Sequence, residues 1–212
     1  MEGVLPRLAA ARKLNRGFEA LALSADGKEL ILAFQSPLAH PDRAAHKHSG
    51  IVRIWALDAR DGVFLREYAY PLGPPESFLR DCAAGPVERG DVKISEIASL
   101  PGGGLLVLER VTLSTHVHRI RLDPEAALPS EWLDPSRRPT LEQMTRAGLE
   151  AAGVPLLEKT LVLSTDDHPE VCGDLEGMIL LDAQTLLLVN DSDYGTEGAD
   201  TQFWKVDFPE AI

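Results

Sequence analysis

The chain has 212 residues, with 21 Lys plus Arg against 33 Asp plus Glu, and a net charge of −12. That acidity argues against a nucleic-acid partner, which needs clustered cations. No run of about 18 apolar residues exists to cross a membrane as a helix. An acidic chain that handles an anionic substrate needs its charge inverted locally, and a bound divalent cation is the usual device.

The apolar part of Met1–Ala11 is too short for a signal peptide. Beyond it the sequence repeats. Gly17 to Leu23 is a short apolar segment, followed by a turn at Ala25-Asp26-Gly27 and a second apolar segment from Glu29 to Ser36. The same layout returns at Ile94 to Leu100, Pro101 to Gly104 and Leu105 to Arg110. It returns again at Asp174 to Leu180, Asp182 to Gln184 and Thr185 to Asp191. Each unit reads as a hairpin opened by a glutamate. Glu19, Glu96 and Glu176 are spaced 77 and 80 residues apart.

A third strand ending in aspartate follows in each unit, at Gly50 to Asp58, Val117 to Asp123 and Thr201 to Asp207. Fourth strands are predicted at Phe64 to Leu72 and Thr160 to Ser164, with none in the last unit. One helix is predicted over residues 140–152. It is opened by a Thr140/Gln143 capping box and closed by Gly153. Four antiparallel strands repeated around an axis is the β-propeller plan. The predicted fold class is therefore all-β and propeller-like, with about three four-stranded blades near residues 15–75, 91–165 and 172–208 of one domain spanning 1–212. Three blades leave a ring incomplete, since propellers use about four to eight. Missing N-terminal blades, or self-association that covers the open blade faces, are the expected remedies.

Cys82 and Cys172 have no metal-ligand spacing; they could pair in an exported chain, but two free thiols are favoured. No Gly-x-Ser-x-Gly elbow, P-loop or dinucleotide fingerprint is present.

Several motifs together resemble the esterase-like phytase family. They are Gly17 to Ser24 with Asp26-Gly27, Ala33 to Leu38, Arg53-Ile54, Glu67-Tyr68-x-Tyr70, Ile94-Ser95-Glu96, Leu106 to Arg110, Asp174 to Gly177 and Asn190 to Tyr194. The resemblance implies a propeller-like fold and phosphoesterase or phytase activity. It also implies relatives that are often exported, to the periplasm or outside the cell.

Innermost propeller strands line the central channel, so rotation should bring Glu19, Glu96 and Glu176 to one level. Converging carboxylates repel unless a cation bridges them. A hard cation such as Ca²⁺ suits such a ring, with Asp191 and Asp193 either as further oxygen donors or as part of an Asx-rich turn. The alternative is that each glutamate accepts backbone N–H groups at the entry to its blade. Arg110 could grip a phosphate bidentately or pair with a neighbouring blade's carboxylate. His40, Arg43, His46, Lys47 and His48 form the densest cationic loop, which could face substrate, as could Arg53, although an ordinary solvated loop is the favoured reading. His116 and His118 share one strand face and read as an exposed edge.

The expected function is metal-dependent hydrolysis of a phosphorylated small molecule. Glu96, Arg110 and Glu176 would be catalytic, and Arg110, Lys47, His48 and Arg53 would bind substrate. Glu19, Glu96, Glu176, Asp191 and Asp193 would hold the metal. The rival expectation is a non-catalytic propeller module for binding or assembly.

Overall fold

A computed structural model describes residues 5–198 and 200–212. It contains three antiparallel sheets and few helices, a propeller-like all-β arrangement. Blade 1 is β1 (Phe18–Leu23), β2 (Glu29–Phe34), β3 (Ile51–Asp58) and β4 (Phe64–Pro71). Blade 2 is β5 (Lys93–Ser99), β6 (Leu105–Arg110), β7 (Thr115–Ile120) and β8 (Lys159–Ser164). Blade 3 is β9 (Leu175–Asp182), β10 (Thr185–Asn190) and β11 (Phe203–Asp207). Strands pair in sequence order within each blade, and the innermost strands follow one another around the arc, β1 beside β5 and β5 beside β9.

The hairpin turns have their chemical cause in glycine. Gly27, Gly103 and Gly104 adopt φ of 72°, 86° and 91°, which only glycine enters at no steric cost. A Cβ on Gly104 would lie 2.5 Å from the Ile120 carbonyl oxygen, so β6 and β7 could not close as they do.

Alternation of side chains decides how blades stack. Ala20 and Ala22 of β1 are buried in the same core as Ile97 of β5 and Leu105 and Val107 of β6. Leu106 and Leu108 on the other face of β6 share a second core with Met178, Leu186 and Leu188 of blade 3. Each blade thus lays one face, here called A, on the opposite face B of the blade that follows.

The predicted helix near 140–152 is interrupted. The Thr140/Gln143 capping box forms, but on a 3-10 turn, Leu141–Gln143. Met144 is extended (φ −90°, ψ 141°), and the Thr145 side chain then accepts from the Gly148 N–H to start a new helix, Arg146–Ala151. A second capping residue five positions after the first is what splits the segment. Gly153 follows with φ 65°, as expected of a C-terminal cap. The insertion packs Trp132, Leu141 and Leu149 against Ile51 and Ala69 of the outer strands of blade 1.

The cationic loop holds a short helix, Arg43–His48, whose first N–H groups are capped by Asp42. His46 is buried with Nδ1 2.6 Å from the Pro37 carbonyl oxygen. Cys82 and Cys172 are both free. Among the described residues no helix is long and apolar enough to cross a membrane.

His116 and His118 are not on an exposed edge. They are 6% and 7% exposed, because β7 lies between β6 and β8 and their face is covered. Phe78 stacks on His116 with ring centroids 4.4 Å apart. Burial lowers His118 to about 4, only partly opposed by Glu109. A histidine held neutral in the fold gives stability that is complete above its unfolded pKa of about 6.5 and is lost as pH falls towards 4. Acidification across that window is expected to remove on the order of 3 kcal/mol, read as a fall in the urea midpoint. His118→Phe should flatten the dependence.

Candidate functional site

The pairing register locates the equivalent positions of the three blades. Each innermost strand carries a bulge near its start, where one residue is left unpaired. In blade 1 Phe18 pairs with Phe34 and Ala20 with Ala33, which leaves Glu19 unpaired. In blade 2 Ile94 pairs with Glu109 and Glu96 with Leu108, which leaves Ser95. In blade 3 Leu175 pairs with Asn190 and Gly177 with Val189, which leaves Glu176. Bulges re-aim a side chain and recur beside functional sites.

This register corrects the expected glutamate ring. The counterpart of Glu19 and Glu176 is Ser95, and Glu96 is the counterpart of Ala20. A shift of one residue turns a side chain to the other face of a strand. The Glu96 carboxylate accepts from the Ile97 N–H at 2.9 Å, and burial raises its pKa. The exposed Glu19 accepts from the Gly17 N–H at 3.1 Å. The structure therefore does not bring Glu19, Glu96 and Glu176 together.

It does bring together a different set, at the end of the blades where the innermost strands begin. Arg110, at the end of β6, is 3% exposed. Its Nε donates to Ser95 Oγ at 2.9 Å, and one terminal nitrogen donates to the Val111 carbonyl at 2.9 Å. The same nitrogen pairs with Asp174, and the other pairs with Glu176. Of the two readings open for Arg110, ion pairing with the neighbouring blade is the one the geometry matches. Burial lowers the Arg110 pKa, while Asp174 and Asp191 pull the other way.

Asp174 and Glu176 enter from blade 3 through a tight connection. A Cβ on Gly173 would lie 2.5 Å from the Thr112 carbonyl oxygen. Asp174 has φ 51°, a left-handed conformation that aspartate tolerates better than most residues. Its N–H donates to Thr112 at 2.7 Å, and its carbonyl accepts from Asp191 at 2.9 Å. The side chains of Asp174 and Glu176 remain 41% and 37% exposed.

Lys93 opens β5 beside this group, at the position that Gly17 and Asp174 hold in the other blades. Burial, Arg110 and Arg16 lower its pKa to about 8, with Asp174 and Asp193 opposing. Arg16 is anchored to the Gly90 carbonyl at 2.7 Å. The cluster is thus mixed in charge: Lys93, Arg16 and Arg110 against Asp174, Glu176, Asp191 and Asp193. Lys93, Arg16, Ser95 and Asp174 were not predicted as site residues. Their signal is placement at or within three residues before the bulge, legible only once the register is known.

The other expected contacts lie elsewhere. Lys47 is exposed and pairs with Glu88 at 3.4 Å, and His48 is exposed. Arg53 is 1% exposed. It is held by Glu142 at 2.7 Å, Glu67 at 2.8 Å and the Trp132 carbonyl at 3.1 Å. A guanidinium sealed in this way cannot meet a substrate, which corrects that expectation. A cavity of about 610 Å³, lined by Leu100, Gly102, Arg119, Arg121 and Thr160 among others, opens at the far end of blade 2 from Lys93.

A family model described as "Phytase-like: Esterase-like activity of phytase" matches residues 2–194. The chain belongs to this phytase-like family. No curated protein matches it. The match takes in all three bulges and every charged residue of the cluster.

The donor set bears on the expected Ca²⁺ ion. Among the described residues no three His, Cys, Asp or Glu side chains come together as metal ligands. Asp174 and Glu176 already carry the Arg110 guanidinium, and a dication on those oxygens would be repelled by it. As arranged, these residues do not fit a resident dication, and Arg110 serves as their counter-charge.

Proposed function

We propose that this phytase-like chain hydrolyses phosphoric esters of small molecules at the cluster where the innermost strands begin. The observation that carries the reading is a half-buried lysine, brought to a pKa of about 8, set beside carboxylates that a buried arginine holds in place.

Arg110 is a positioning residue here. Its donors are used within the protein, and its ion pairs hold the Asp174 and Glu176 carboxylates in orientation. Lys93 and Arg16 supply the positive charge that draws in the phosphate. The Glu176 carboxylate takes a proton from water as the water oxygen bonds to phosphorus. The bond from phosphorus to the ester oxygen breaks, and the departing alkoxide takes a proton from the Lys93 ammonium. Glu176 then returns its proton to solvent and Lys93 regains one. A lysine of pKa near 8 suits this role, being protonated at neutral pH yet a better proton donor than an ordinary ammonium.

The metal-dependent form of this reading requires Arg110 to release Asp174 and Glu176 to a cation such as Ca²⁺. Phosphate release from an ester, assayed with chelator and with added Ca²⁺, separates the two forms. Turnover that survives chelation supports the arginine-neutralised site. Turnover that needs Ca²⁺ supports the metal form, and no turnover under either condition sinks both.

Rising pH is a second handle. Lys93 loses its proton above about 8, so kcat/KM is expected to fall along an alkaline limb with its midpoint there. Asp174→Asn, which removes an opposing negative charge, should move that midpoint down. An alkaline limb unmoved by this change would mean that another group titrates.

A further inference from the structure

The cavity at the far end of blade 2 has no part in the hydrolysis reading. Its volume of about 610 Å³ falls in the range of about 300–1,000 Å³ common to small-molecule sites. Its apolar wall draws on all three cores of the molecule. Leu157 belongs to the core between blades 1 and 2, Leu100 to the core between blades 2 and 3, and Leu156 packs on the core of the insertion.

Charged side chains line the same cavity. Arg119 enters from β7 and Arg121 from just past its end, and Thr160 of β8, which pairs with Arg119, lies between them and the leucines in the lining. Both arginines are exposed, and among the described residues neither guanidinium has a hydrogen bond or an ion pair. A guanidinium with unused donors beside an apolar wall suits a carboxylate carried on hydrocarbon. The fork of N–H groups meets the two oxygens, and the hydrocarbon leaves water by resting on the leucines. Asp123 and Glu158 also line the cavity and limit the charge of the ligand. One carboxylate is matched by the arginines, whereas a second anionic group would be repelled by these two.

We infer that the cavity binds an amphiphilic monocarboxylate, with its carboxylate on Arg119 and Arg121 and its apolar body against Leu100, Leu156 and Leu157. The site is separate from the charge cluster: Lys93 opens β5, and Leu100 follows the other end of that strand. The inference does not depend on the hydrolysis reading.

Isothermal titration of the full chain with octanoate tests this. One saturable site is expected. Acetate, which lacks the apolar body, and 1-octanol, which lacks the charge, should each bind at least tenfold more weakly. Arg119→Gln and Arg121→Gln should each weaken octanoate by roughly tenfold, the loss expected for hydrogen bonds between charged groups, with the far-UV circular dichroism of the unaltered chain. Glu158→Gln removes a like charge and should tighten binding. No saturable binding of octanoate would overturn the inference. Equal binding of 1-octanol, or affinity unmoved by either arginine variant, would overturn the role of the guanidiniums, and equal binding of acetate that of the apolar wall. Loss of octanoate binding in Lys93→Gln would also overturn it, by placing the ligand on the charge cluster instead.

Discussion

Replacing Arg53 by methionine is expected to lower stability by about 3–5 kcal/mol, the range for removing one partner of a buried ion pair. Arg53, Glu67 and Glu142 have side chains 1%, 1% and 0% exposed. Burial alone would make the guanidinium a weaker cation, but Glu67 and Glu142 outweigh it and raise its pKa. Without Arg53 two carboxylates would be stranded in the core, and they would have to protonate or pull in water. Equilibrium urea unfolding measures the loss. The triple variant Arg53→Met, Glu67→Leu, Glu142→Met should recover much of it, because an apolar replacement of a whole buried triad is often near neutral. Equal losses in the single and triple variants would show that the interaction is not governed by charge. The insertion carrying Glu142 is pinned to blade 1 through this triad, so the single variant should also loosen residues 124–157 towards proteases.

The second large effect is expected at Glu109, which is 0% exposed. It accepts from Tyr70, from the Gly73 N–H at 2.7 Å and from Lys159, with His118 at 3.5 Å. Tyr70 belongs to blade 1, so one carboxylate joins two blades. Burial would raise the Glu109 pKa, but the Lys159 charge and the hydrogen bonds from Lys159 and Tyr70 hold it below the ordinary value. A depressed carboxylate pKa gives stability that is present above the unfolded pKa, about 4.5, and is lost as pH falls further. Glu109→Leu leaves the Lys159 ammonium and the Tyr70 hydroxyl without their acceptor and should cost about 3–5 kcal/mol. Glu109→Gln keeps an acceptor and should cost less. A smaller loss for the leucine variant than for glutamine would refute the role given to the charge.

Most of the fold was legible because propeller blades write themselves in local chemistry. Alternation marked the strands, and Gly27, Gly103 and Gly104 marked the turns. That the last sheet has three strands among the described residues could also be read directly. What could not be read was a register. Ser95 and Glu96 are adjacent, and the repeat looks regular with either one. Only the pairing of Ile94 with Glu109 shows that the serine is the bulged residue. The same limit hid Lys93 and Asp174, which gain their meaning from the residues across the blade boundary.

Burial misled in the other direction. His116, His118 and Arg53 carry polar side chains on strands, which suggested exposure or substrate contact. Each instead has a partner within the fold: Asp166 for His116 and Glu142 for Arg53, both distant in sequence, and Glu109 on the neighbouring strand for His118. The short helix at Arg43–His48 was missed although Asp42 stood in front of it as a cap, because six residues give too brief a periodic signal.

Lys93→Gln tests the central claim most directly, through phosphate release from an alkyl ester such as glycerol 2-phosphate and from p-nitrophenyl phosphate over pH 6 to 9. Loss of a proton donor should reduce kcat/KM for the alkyl ester by roughly 100-fold or more and abolish the alkaline limb near pH 8. The nitrophenyl ester, whose leaving group needs little protonation, should suffer far less. Equal rates for the variant and the unaltered protein on the alkyl ester, with the same alkaline limb, would contradict the account.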